Sequence, residues 1–216
     1  MRLYKYISKQ FADAFARRGA IKIGTLYEYR NTEKYNSAVA DKDEGSFQTE
    51  FELLGGGEVD LGGTTPEADF FRKHVLRPGQ QASNVKIVME DGARIISRSN
   101  SEDLYVLCCS TQFSRDVMVE FGCDACVEIS DAQAFVNAVS HTIRHQARLV
   151  GFGQVHYLQK TKPYTEPHQL HPAVMKDPKY AYQCEWRSLW APIKPIKGPL
   201  FIHASKAASY CSWYAP

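Results

Sequence analysis

YAYQCEWRSLWAP, Tyr180 to Pro192, alternates almost without a break. Tyr182, Cys184, Trp186, Ser188 and Trp190 share one parity; Gln183, Glu185, Arg187 and Leu189 share the other. Successive side chains of a strand point to opposite faces. The stretch therefore reads as a strand with one aromatic, buried face. Its second face carries an amide, a carboxylate and a guanidinium in a row. On such a face residues i and i+2 stand about 6.5–7 Å apart, which brings Gln183 and Glu185 within reach of one ligand. The plainer alternative is a polar ladder, with Glu185 paired to Arg187 or across to a neighbouring strand.

Outward from this strand, the same alternation recurs. SFQTEFELL (46–54) alternates, DLYVLCCSTQF (103–113) reads as a buried strand, and CDACVEIS (123–130) and GQVHYLQK (153–160) as two more. LYKYI opens the chain as a short strand, and PLFIHAS (199–205) lies near its end. AIKIGTLYEYR (20–30) reads as a strand pair, or a strand and turn, around Gly24. NVKIVMEDGARIISRS (84–99) reads as a hairpin turning at Asp91-Gly92. Helices are fewer. Ser8 has the place of an N-cap, Phe11, Ala12, Phe15 and Ala16 recur at helical spacing, and Gly19 has the place of a C-terminal cap. Ser130 to Gln133 forms a capping box ahead of the stripe Phe135, Val136, Val139 and Ile143. A short helix is expected within residues 66–82, and a Pro- and His-rich loop from Pro163 to Pro178. Strands outnumber helices without regular alternation. That predicts an α+β fold of mainly antiparallel sheets, two packed or split, with a few flanking helices. With no repeat and no linker, residues 1–216 are expected to form a single domain.

Composition sets limits. The 216 residues are 44% hydrophobic, with 12 Tyr and 11 Phe, enough for a sizeable core. Twenty-six basic and 24 acidic residues leave a net charge of +2, which does not advertise a nucleic-acid-binding surface. A local basic cluster, Arg144, His145 and Arg148, remains. No apolar run approaches the ~18 residues of a membrane helix, and the N-terminus lacks an apolar signal core. A soluble, cytoplasmic protein without a membrane partner is expected. Six cysteines in such a chain read as buried thiols rather than a disulfide framework.

Several chemical motifs fall away on spacing. Cys123-x-x-Cys126 is half a zinc site with no second cysteine pair. His141 and His145 share a helix face but give two ligands at most. The glycines of GGGEVDLGG (55–63) lack the Gly-Lys-Ser/Thr of a phosphate loop and read as a flexible tip. Asp41-Lys-Asp43-Glu44-Gly45 misses the ligand positions of a calcium loop and reads as a polar loop covering a site. The Cys108-Cys109 strand is too apolar for a reactive thiolate.

Glycosyl transfer from NAD passes through an oxocarbenium-like state, which calls for a carboxylate beside the ribose and a second polar group nearby. Gln183 and Glu185 meet that requirement. The ordered segments LYKYI, GAIKIGTLYEYR, STQFS, FGCDACVEIS, GQVHYLQK and YQCEWRSLW resemble a large bacterial family of unknown function that opens on Tyr-Lys-Tyr and closes on a Glu-x-Glu-Trp-Arg-like strand. That resemblance spans nearly the whole chain.

A second resemblance is to the ADP-ribosyltransferase superfamily. That superfamily carries a basic residue on an early strand, a Ser-Thr-Ser motif on a middle strand and Gln/Glu-x-Glu on a late one. Lys5, or Arg2, takes the early place, where the superfamily has Arg or His; Ser110-Thr111-Gln112 the middle; Gln183-Cys184-Glu185 the last. The resemblance implies an ADP-ribosyltransferase-like fold and a transferase that uses NAD as substrate. It implies a toxin or antiviral, phage-defence effector acting on a protein or nucleic-acid acceptor. Glu185 would be the catalytic carboxylate and Gln183 would position the acceptor. Lys5 and Tyr6 would bind NAD, Ser110 and Thr111 would support the site, and Tyr27 or Tyr29 would stack on nicotinamide. Two alternatives stand beside it. One is a non-catalytic nucleotide- or partner-binding module of the same fold. The other is a metal-dependent nuclease built on Asp41, Asp43, Glu44 and Glu185.

Overall fold

The computed structural model describes residues 1–216 except Pro78, Gln81, Ser83, Pro167 and Pro216. In chain order the elements are β1 (Leu3–Ile7), α1 (Lys9–Arg18), β2 (Ala20–Thr25), β3 (Ser46–Leu53), β4 (Gly57–Asp60), α2 (Pro66–His74), β5 (Lys86–Met89) and β6 (Ala93–Asn100). There follow β7 (Tyr105–Ser110), α3 (Arg115–Glu120), β8 (Ala125–Ile129), α4 (Ala132–Thr142), β9 (Ala147–Gln154), β10 (His156–Tyr157) and β11 (Thr161–Pro163). The chain closes with β12 (Met175–Lys176), β13 (Glu185–Pro192), β14 (Leu200–His203), α5 (Ser205–Ala208) and β15 (Cys211–Tyr214). The fold is α+β with mostly antiparallel sheets and a few helices. Among the described residues no helix is long and apolar enough to cross a membrane.

The chain divides into two compact units. The larger holds Met1–Gly45, Ser101–Leu158 and Ala173–Pro216; the smaller holds Ser46–Asn100 and Gln159–Pro172. No Pro/Gly/Ser-rich linker marks these crossings, which is why the sequence reads as undivided.

The larger unit is built on an eight-stranded sheet. Its central strand, β7, pairs along its whole length with β13, from Tyr105↔Trp190 to Ser110↔Glu185. On its other edge two strands share it. β2 takes Tyr105 and Val106, and β1 takes Ser110. The sheet forks there, with β14 continuing from β2, and β8 and β15 from β1. β9 lies outside β13. Helices α1, α4 and α5 bury Phe15, Phe135, Val139 and Ala207 against one sheet face, which carries Leu3, Leu107, Val127, Trp186 and Trp190. By strand alternation Val106, Cys108, Ser110, Glu185, Arg187 and Leu189 fall on the opposite face. That face is buried too: Glu185 to Trp190 are all buried.

Several elements differ from the sequence reading. β13 begins at Glu185, not before. Asp177 caps a 3-10 turn by accepting from the Lys179 amide, Pro178 sits at its first position, and the turn runs to Gln183. Cys184 then takes a left-handed conformation (φ 45°) and redirects the chain. Tyr182 is accordingly 44% exposed rather than in the core. Gly24 lies inside β2 instead of turning it. Asp131, not Ser130, caps α4: its carboxylate accepts from the Ala134 amide, while the Ser130 hydroxyl is engaged by the Tyr210 carbonyl. Strand pairing near GQVHYLQK begins earlier, at Ala147.

In the smaller unit the expected hairpin does not form. β5 and β6 flank the Asp91-Gly92 turn, but β5 pairs with β4 and β6 with β3. Asp91 accepts from the Gly55 amide, tying this turn to the one between β3 and β4. The glycine tip is therefore narrower than expected, because Gly57–Asp60 is strand. The helix expected within 66–82 is Pro66–His74, with Thr65 as its cap; Gln81, and Pro167 of the Pro- and His-rich loop, lie outside the described residues. β11 pairs in parallel with β3. Phe51, Phe70 and Phe71 centre a separate core.

Candidate functional site

β13 sets Glu185 and Arg187 side by side, two residues apart on one face. Glu185 Oε1 accepts from Arg187 Nε at 2.7 Å, and Oε2 accepts from Lys176 Nζ at 2.7 Å. The Arg187 guanidinium then forks onto Glu44, with Nη1–Oε1 2.7 Å and Nη2–Oε2 2.9 Å, and gives a further bond to the Ala173 carbonyl at 2.8 Å. Two carboxylates and two cations thus form a closed, neutral set. Glu44, Lys176, Glu185 and Arg187 are 2, 5, 6 and 2% exposed. Charges are tolerated at such burial only when paired and hydrogen-bonded. Burial alone would raise the Glu185 pKa, but Arg187 and Lys176 hold it well below the usual carboxylate range. Burial works against the Lys176 and Arg187 cations as well, yet Glu185 and Glu44 hold both pKa values above their ordinary values. The polar ladder is therefore real, but it is internal rather than solvated.

Gln183 reaches the same place by another route. It is not on the strand, yet the turn through Cys184 brings its carboxamide beside Glu185. Its Oε1 accepts from Lys176 Nζ at 2.7 Å and its Nε2 donates to the Ala38 carbonyl at 2.7 Å. Lys176, from β12, is thus the common partner of the two residues singled out in the sequence. Ser110 Oγ lies 2.7 Å from the Gln112 carbonyl and 2.9 Å from that of Gln183. The Thr111 amide and hydroxyl both donate to the Cys184 carbonyl, at 2.9 and 3.2 Å, locking the turn.

Above this floor the sheet fork opens a cavity of about 260 Å³. Glu185, Gln183, Lys5, Tyr6, Tyr29 and Ser110 all line it. Lys5 Nζ donates to the Cys108 carbonyl at 2.9 Å, in the gap of the fork between β2 and β1. Its ammonium carries three donors. Tyr6 accepts from the Ser114 amide at 2.8 Å and donates to the Gln112 carbonyl at 3.0 Å, so its ring is fixed. Tyr29 packs over Gly24, where a Cβ would come within 2.9 Å of its hydroxyl. The glycine makes room for the ring. Burial pushes the Tyr29 phenol well above its ordinary pKa.

Tyr27 and Thr111 are not among the cavity's walls. The Tyr27 ring lies 3.8 Å from the Arg30 guanidinium and its hydroxyl donates to the Ser101 carbonyl. Of the Asp41–Gly45 loop Glu44 faces the cavity, and Tyr35, Ala38 and Val39 face it from the stretch just before that loop. Lys22, also on the wall, is steered by Glu28 at 2.8 Å. Burial would raise the Glu28 pKa, but bonds from Lys22, Lys34 and Tyr35 hold it at about 2.

Metal chemistry finds less here. Among the described residues no three His, Cys, Asp or Glu side chains gather to hold an ion, so neither Cys123/Cys126 nor His141/His145 gains a third ligand. Arg187 stands between Glu44 and Glu185, so these two carboxylates are bridged by a cation already present in the chain. All six cysteines are free, and burial pushes the Cys109 thiol up to about 11.

Lys176 and Tyr35 are missed by sequence reasoning. Lys176 follows an apolar Val-Met pair in an irregular stretch with no periodicity to place it. The Asp177-Pro178 start signal could have revealed the turn before Glu185. No protein-family model matches this chain, and neither a curated protein nor a solved structure matches it.

Proposed function

We propose that the larger unit binds a nucleotide in this cavity, that NAD is the ligand, and that ADP-ribosyl transfer is the reaction it serves. The observation that carries the reading is convergence. Six residues chosen from four distant sequence segments line one cavity, with an ionised carboxylate at its floor. Tyr4, Tyr6 and Tyr29 offer ring faces. Lys5 offers a cation to a phosphate, and Glu185 a carboxylate to a ribose hydroxyl. A carboxylate has about four lone-pair sites, and Glu185 spends two of them on Lys176 and Arg187. The cavity falls just short of the ~300–1,000 Å³ of drug-sized sites, so it takes one ring with its sugar and phosphate rather than the whole dinucleotide. The acceptor would be a protein or nucleic acid, and a toxin or phage-defence role follows from the resemblance alone.

One observation favours the non-catalytic reading: each Glu185 oxygen already faces a cation. A neutralised carboxylate stabilises a developing positive charge less than a free one does. The two readings separate on turnover. Purified wild type and Glu185→Gln are incubated with NAD, with and without cell extract, and nicotinamide release is followed beside a thermal melt of each protein. Transfer predicts release by wild type and none by a folded Glu185→Gln. Saturable NAD binding without release supports the binding module. A folded wild type that does not bind NAD overturns both.

A further inference from the structure

We propose that Arg187 is an anion receptor and that Glu44 occupies it as an internal stand-in for the phosphate of an incoming ligand. Three features point there. First, Arg187 presents a parallel pair of donors, Nη1 and Nη2, to one carboxylate, at 2.7 and 2.9 Å. That fork matches phosphate oxygens as well as it matches a carboxylate. Secondly, its partners differ in how they are held. Arg187, Glu185 and Lys176 stand on strands. Glu44 comes from the irregular cover between Arg30 and β3, whose Tyr35, Ala38 and Val39 also wall the cavity. Thirdly, the exchange conserves charge. With Glu44 in place the set of Glu44, Lys176, Glu185 and Arg187 sums to zero; with Glu44 withdrawn, the remaining three carry one net positive charge. A ligand oxyanion entering beside Lys5 restores the balance.

The backbone need not unravel for this. The Glu44 carbonyl is held by Arg30 Nε at 2.6 Å, so the carboxylate leaves by side-chain rotation. Gly45 beside it has a left-handed φ of 63°, and a Cβ there would collide with Leu26, so this position requires glycine. The inference rests on the reading that the cavity takes a phosphate-bearing nucleotide.

Inorganic pyrophosphate and ADP serve as probes, titrated into wild type, Glu44→Gln and Glu44→Asp by calorimetry and thermal melt, with sodium chloride at matched ionic strength as control. Without added anion, Glu44→Gln melts below wild type. Pyrophosphate, but not chloride, restores its melting temperature and binds it more tightly than wild type by roughly tenfold or more, within the usual span of competing couplings. Glu44→Asp, whose shorter arm withdraws from the fork while keeping its charge, gives an intermediate gain. Pyrophosphate binding no tighter in Glu44→Gln than in wild type overturns the proposal. If Glu44→Gln does not fold, binding no tighter in Glu44→Asp overturns it equally. The nucleotide reading fails separately. ADP binding no better than pyrophosphate would remove the role of the ring and leave anion exchange on Arg187 standing.

Discussion

Glu185 is worth more to the fold than a surface acid because two buried cations depend on it. Removing one member of a buried ion set leaves its partners uncompensated, at about 3–5 kcal/mol. Glu185→Ala is expected to lose about that much in a urea titration, whereas Glu28→Ala, whose cationic partners Lys22 and Lys34 reach solvent, loses less. The pH dependence has a definite sign. The folded pKa of Glu185 lies well below its ordinary 4.5. Its contribution is therefore complete above that value and is lost as the pH falls through and beneath the usual carboxylate range. Glu28, at about 2, follows the same course. Acid titration of the melting temperature should show a steep fall below about pH 4.5 that Glu185→Ala blunts. At this scale Glu185 and Arg187 were legible, since a two-residue spacing suffices to place both on one face. Gln183 was found for an incorrect reason: it reaches Lys176 through a turn, which alternation cannot reveal.

At the scale of elements, β13 owes its position to Trp186 and Trp190, buried on the helix-packed face. The Trp190 indole also donates to Ser140 Oγ on α4 at 2.8 Å. Trp190→Ala should cost about 3–5 kcal/mol by chemical denaturation; a cost near zero would contradict the register. The aromatic parity was readable because two tryptophans four residues apart can share a strand face. The pairing of β5 was not. Asp91-Gly92 does turn the chain, with Gly92 at φ 72°, but a turn residue states only that the chain reverses. Whether the two flanking strands then pair is decided by competing partners. β3 and β4 are those partners, and they are fixed by distant residues. The stripe of α4 was legible as Phe135, Val136 and Val139, with the buried Ile143 at the C-cap just past its end, and its N-cap was displaced by one residue because Asp131 reaches the Ala134 amide and Ser130 is drawn to Tyr210.

For the whole molecule, the sheet fork that makes the cavity has no local signature, because it depends on where β1 and β2 each meet β7. The division into two units was equally silent in the sequence. Every residue lining the cavity belongs to the larger unit. The Ser101 amide donates to the Gly45 carbonyl at 2.9 Å, so a short link can join those positions. Replacing residues 46–100 by such a link, and residues 159–172 by a second, should leave a cooperatively melting protein with unchanged pyrophosphate affinity. Loss of both would show that the larger unit does not stand alone.

The most direct test of the central claim is calorimetric titration of NAD into wild type and Lys5→Met. The account predicts saturable one-to-one binding to wild type. It predicts weakening by roughly ten- to a hundredfold, the usual weight of a hydrogen bond to a charged group, in a Lys5→Met that still melts cooperatively, at a lower temperature because the Cys108 carbonyl loses its donor. Absence of saturable binding, or binding indifferent to Lys5, would contradict it.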